Sequence, residues 1–93
     1  MQNDITLPNF SVKIGQTKMS LDADLRDLIE DILFQKHCGI IVEWCTNTYS
    51  NTVKYYKYYD IEDSYRTVTW YASFCSQNDY CHFILSQYEN KGD

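Results

Sequence analysis

Glycine and proline are scarce in this chain, three and one among 93 residues. Chains that stay unfolded tend to be rich in both, so long disordered segments are not expected. Only Gly15, Gly39 and Gly92 are available, too few and too scattered for a glycine-rich loop that cradles phosphates. Long apolar runs are missing too, which excludes a membrane-spanning helix of roughly 18 or more apolar residues. The opening MQNDITLPNF has neither a basic start nor an apolar run, so no secretory leader is expected. Positive charge is in short supply, with eight Lys and Arg against thirteen Asp and Glu and a net charge of −5. Such a surface repels phosphates and disfavours nonspecific nucleic-acid binding, while a basic protein partner suits it.

Closely spaced cysteine pairs are also lacking. Cys38, Cys45, Cys75 and Cys81 stand in C-x6-C and C-x5-C spacings, which match no common zinc pattern. The expectation is four free thiols in a cytoplasmic protein, with no metal and no cofactor. No nucleophile comes with a recognisable base and orienting acid. His37 adjoins Cys38, and Cys75 faces His82 if both lie on strands, but neither pair has a third member. An enzyme is therefore not expected.

Aromatic residues are what the chain has in abundance: 16 % of the whole, with nine tyrosines. Four of them crowd into VKYYKYYDIE as Tyr55, Tyr56, Tyr58 and Tyr59. In a strand, alternate side chains point to opposite faces, so two of these rings face a core and two face outward.

The clearest periodic element precedes this stretch. In SLDADLRDLIEDILFQKHCG, Leu21, Leu25, Leu28, Ile29, Ile32 and Leu33 fall on one helical stripe. The spacing predicts a helix over 20–37, with Ser20 as N-cap and Gly39 as its stop. Upstream, NFSVKIG alternates as a short strand ended by Gly15. Downstream, a period of two predicts strands at about 40–46, 51–61, 66–76 and 81–88, joined by NTYS, EDSY and QNDY. Four-residue hairpin loops would pair Trp44 with Val53, Tyr59 with Val68, Tyr55 with Ala72 and Phe74 with Phe83. Lys57 then falls on the core side beside Ile40, where it could reach the last helix carbonyls.

The expected fold class is α+β: a single helix packed on a four- to five-stranded antiparallel meander sheet. Residues 1–8 form a loose N-terminus, 9–89 one domain and 90–93 a tail. The order β-α-β-β-β-β is similar to the cystatin-like arrangement, a likeness of topology that brings no activity with it.

Two surfaces are candidates for partner binding. On the outward sheet face, Tyr56, Tyr58, Tyr71 and Tyr88 stand among Ser and Thr with few charges, and tyrosine is enriched in recognition surfaces. Tyrosine also favours strands for reasons of its own and lines exposed sheets that bind nothing. The other surface is acidic: Asp24, Asp27 and Asp31 on the helix, with Glu62 and Asp63 in the turn. It would fit a basic groove, or be the ordinary solvated side of a helix and loop.

In size, charge and aromatic content the chain resembles small inhibitors encoded by phages and mobile elements, such as anti-CRISPR proteins and nucleic-acid mimics. Toxin-immunity proteins are similar in size and charge. The resemblance implies a small acidic protein-binding module that occupies a surface of a larger macromolecule, a basic nucleic-acid-binding protein being one such partner. Two other readings stand beside it. One is a structural domain that forms a homodimer through its tyrosine face. The other is a single-strand nucleic-acid binder, using Lys54, Lys57 and Arg66 interleaved with tyrosines.

Overall fold

The computed structural model describes residues 7–20 and 26–91, without the side chains of residue 26 and residues 87–91. Its most local element is a hairpin. Strands β2 (Lys54–Glu62) and β3 (Tyr65–Ser73) are dense in Tyr, Thr, Val, Ile and Trp, which suit a pleated, half-buried surface. They pair antiparallel with Tyr55 opposite Ala72 and Tyr59 opposite Val68, the pairs that the hydrophobic pattern predicts. The connection is tighter than the four-residue loop expected, since Glu62 already pairs with Tyr65. Asp63 takes a left-handed φ of 52° there, a conformation that short polar residues tolerate best after glycine.

Strand β1 (Ser11–Ser20) joins the other side of β3, so the sheet order is β1-β3-β2. The strand does not end at Gly15. It passes through it with a register shift between Lys13 and Gly15, a bulge that leaves Ile14 unpaired. Glycine is required there by close approach. A Cβ at Gly15 would lie 2.6 Å from Cys38 Sγ and 3.4 Å from Trp70 Cε3.

Two expected strands are helices instead, which corrects the single helix on a four- to five-stranded, cystatin-like meander. Helix α1 (Arg26–Tyr49) runs through Gly39 and takes in the predicted strand 40–46 and most of the NTYS loop. Phe34, Cys38, Ile41, Cys45 and Tyr49 recur at intervals of four and three and turn to the core. A glycine inside a helix costs about 1 kcal/mol against alanine, too little to stop one that buries such a stripe. The real stop is Ser50, at a left-handed φ of 59°, with Thr52 Oγ1 donating to the Tyr49 carbonyl at 2.8 Å. Helix α2 (Gln77–Lys91) replaces the predicted strand 81–88. Its N-cap is Ser76, whose Oγ accepts from the Asp79 amide at 3.1 Å. Ser20 is the last residue of β1; the residues it would cap, with Leu21, Asp24 and Leu25 among them, lie outside the described residues.

The result is an α+β fold of order β1-α1-β2-β3-α2, with helices packed on one face of a three-stranded antiparallel sheet. One buried cluster joins Cys38 of α1 to Val68 and Trp70 of β3. The other joins Cys45 to Ala72, Phe74 and the α2 residue Phe83. Phe74 and Phe83 do meet, with ring centroids 5.0 Å apart, but as a strand end against a helix rather than across a hairpin. Burying one such side chain fully contributes about 1.5–3 kcal/mol. Phe10 carries a positive φ of 64°, unusual for a bulky residue. Its carbonyl accepts from the Phe74 amide at 3.0 Å and its ring lies 5.9 Å from that of Tyr80, contacts that hold it in place.

The helical stripe expected in the core is largely outside it. Leu28, Ile29 and Ile32 are exposed, and Glu30 is buried in their place.

Candidate binding surface

Alternation along the strands sorts the side chains of the hairpin. Tyr55, Lys57 and Tyr59 of β2 point to the helices together with Arg66, Val68, Trp70 and Ala72 of β3. The opposite face holds Tyr56 and Tyr58, with Tyr65 and Tyr71 from β3. Tyr56 stands directly across from Tyr71, and Tyr58 across from Thr69. Side chains so placed have Cβ atoms about 5 Å apart and pack as a unit. Thr69 and Ser73 are buried beneath them, while Tyr56 and Tyr65 keep 37 % and 49 % of their surface open. The buried contacts of both helices fall on the other side of the sheet.

Tyr65 is a member of this face that the sequence reading placed in a loop. Its signal was parity with Tyr71, three strand steps of two away. From β1, Lys13 and Lys18 also reach this side, opposite Tyr71 and Thr67. Lys18 Nζ lies 5.3 Å from the centre of the Tyr65 ring, within cation–π reach. Lys13 Nζ donates to Gln16 Oε1 at 2.7 Å. Tyr88 belongs to α2 and not to a sheet face, and its side chain is outside the described residues.

The helix side contains a charged cluster. Glu30, 3 % exposed, accepts hydrogen bonds from Lys57 Nζ at 2.5 Å, Tyr59 Oη at 2.7 Å and Arg66 Nη2 at 3.0 Å. Arg66 also stacks its guanidinium 4.3 Å from the Tyr59 ring centre. Burial works against the Glu30 carboxylate. The hydrogen bonds from Lys57 and Tyr59 and the charges of Lys57 and Arg66 outweigh it and hold its pKa below the usual value. Lys57 is thus on the core side, as parity predicts, but its partner is this carboxylate and not the helix C-terminus. The cluster had a signal in the sequence: Lys57 and Arg66 are two cations on a strand face that is otherwise apolar. Beside it opens a cleft of about 230 Å³, lined by Glu30, Asp31, Phe34, Tyr55, Lys57 and Trp70 among others. Tyr55 Oη is buried beside the Cys45 sulfur and has no nitrogen or oxygen partner among the described residues. Its pKa is driven up by burial and by the neighbouring Cys45 sulfur.

Asp27 and Asp31 are exposed on α1, and Glu62 and Asp63 are exposed at the hairpin turn. The Glu30–Arg66 contact brings the start of α1 to that end of the sheet. Cys75 and His82 are not cross-strand neighbours. Cys75 Sγ lies 3.9 Å from Asp79 Oδ2, and His82 Nδ1 shares a 2.6 Å hydrogen bond with Tyr49 Oη. Cys38 and Cys45 are buried, with thiol pKa values raised by desolvation. Among the described residues no helix is long and apolar enough to cross a membrane, and no three His, Cys, Asp or Glu side chains gather as metal ligands. The chain matches no family model, no curated protein and no solved structure.

Proposed function

We propose that this protein is a small binding module that occupies a surface on a larger protein through the open face of its sheet. The observation that supports the reading is the group of four tyrosines on that face, centred on the Tyr56–Tyr71 cross-strand pair. Each offers a stiff aromatic body with one polar tip, the side-chain type on which binding energy concentrates. By the same alternation Lys13 and Lys18 of β1 and Lys54 of β2 share this face with two carboxylates, Asp60 and Glu62, so the face is less acidic than the chain as a whole. Occupancy of a partner's surface, as by the phage-type inhibitors that the chain resembles, needs no catalytic group.

The test is capture of partner proteins from the native host by the wild type and by two variants. Tyr56→Ser with Tyr58→Ser should abolish capture of the specific partner while the melting temperature changes little. Asp27→Lys with Asp31→Lys should leave that capture in place. The reverse pattern would assign docking to the acidic end of α1 instead.

A second reading, single-strand nucleic-acid binding, draws on the same lysines and rings. It loses two of the cations once counted for it, because Lys57 and Arg66 are turned inward to Glu30. A salt-sensitive mobility shift with single-stranded RNA or DNA, removed by Tyr56→Ser, would favour it.

A further inference from the structure

The outer side of α1, away from the sheet, carries three uncovered apolar side chains. Leu28, Ile32 and Ile40 are 54 %, 57 % and 83 % exposed. Residues 32, 36, 39, 40 and 43 share this side, because neighbours on a helix surface lie three and four apart. Gly39 stands in the middle of it. Glycine is unfavourable inside a helix, and nothing within the fold asks for it here. Its φ is not positive. A Cβ would approach only Gln35 Oε1, at 3.2 Å, the free end of a flexible side chain. Gly15 is the contrast, since the space its Cβ would take is filled by Cys38.

Charge is arranged symmetrically about the same point. Lys36 lies one turn before the Gly39–Ile40 step and Glu43 one turn after it, and both are exposed. Neither side chain pairs with another described residue. A two-fold axis through Gly39–Ile40 places Lys36 of one copy against Glu43 of the other, and the reverse. Such self-complementarity is what an isologous interface requires.

We infer that α1 pairs with α1 of a second copy, the two helices crossing antiparallel at Gly39–Ile40. Ile40 of each copy seats in the notch that Gly39 leaves in the other, where rows of side chains four residues apart interleave. Asp27 and Asp31 lie well away from the crossing, so two chains of net charge −5 meet without carboxylates in contact. The opposite side of α1 holds the sheet, which leaves the tyrosine face of each copy free. The pairing does not rest on the sheet-face reading and stands or falls separately from it.

Sedimentation velocity from micromolar to sub-millimolar protein tests it. The wild type should form a concentration-dependent dimer. Ile40→Lys should be monomeric, with far-UV dichroism and melting temperature retained. Lys36→Glu, which sets like charges together twice, should weaken the dimer about tenfold, and adding Glu43→Lys should restore it. A wild type that stays monomeric throughout overturns the inference. So does a dimer that survives Ile40→Lys, a Lys36→Glu dimer that Glu43→Lys fails to restore, or one lost only on Tyr56→Ser with Tyr58→Ser.

Discussion

Glu30 on α1 and Arg66 on β3 meet at 3.0 Å across the boundary between helix and sheet, with the glutamate almost wholly buried. This contact decides which side of α1 faces the core. Replacing Glu30 by Ala leaves the Arg66 charge buried and unpaired and should cost about 3 kcal/mol or more. Leu28→Ala, on the exposed side, should cost well under about 1 kcal/mol. Urea denaturation of the two variants compares them. Equal losses would mean that the helix is rotated relative to this description.

The same carboxylate makes stability depend on acid. Its folded pKa lies below that of the unfolded chain, so its contribution is complete above the usual glutamate range and is lost as pH falls through the folded value. Wild-type stability should therefore drop below the usual glutamate pKa more steeply than that of Glu30→Gln. Denaturation midpoints across an acid pH series measure this difference.

Gly15 should tolerate no side chain. Gly15→Ala drives a methyl group to 2.6 Å from the Cys38 sulfur, and overpacking of this kind costs about 1–3 kcal/mol. Cys38→Ala makes room, so the double variant should recover part of the loss. Additive losses in thermal melts would show that the two sites are not in contact.

Ser50 ends α1 in a left-handed conformation that glycine, having no Cβ, adopts without steric cost. Ser50→Gly should stabilise the protein by about 0.5–1 kcal/mol, read as a rise in melting temperature of a few degrees. A fall would mean that the serine side chain supports this turn.

The four cysteines should divide into two classes. Cys75 and Cys81 are exposed and should react at once with a thiol reagent in native buffer. Cys38 and Cys45, buried and with raised thiol pKa values, should react only on unfolding. Mass spectrometry of labelled peptides separates the two pairs.

The β2–β3 hairpin was legible in the sequence because it is local. Strand formers, a polar turn at Asp63 and one consistent pairing of Tyr55 with Ala72 fix it without reference to the rest of the chain. Legible in the same way were the shared face of Tyr56, Tyr58 and Tyr71 and the inward side of Lys57. The segments IIVEWC and HFILSQY were not. Each is a short apolar run that fits a period of two as well as one of 3.6. Tertiary packing chose the helix, which turns Ile41 and Cys45 of the first run and Phe83 of the second onto Ala72 and Phe74. The Ser76–Asp79 spacing was a cap signal that could have marked the start of α2. The rotation of α1 was beyond any reading of hydrophobic periodicity. Its most apolar stripe pointed to the core, yet Lys57, Tyr59 and Arg66, gathered from two strands far along the chain, draw Glu30 inward and turn Leu28 and Ile32 out. Sequence alone set the local hairpin and its two faces. The three-dimensional meeting of one carboxylate with two distant cations decided which side of the helix the protein keeps for itself.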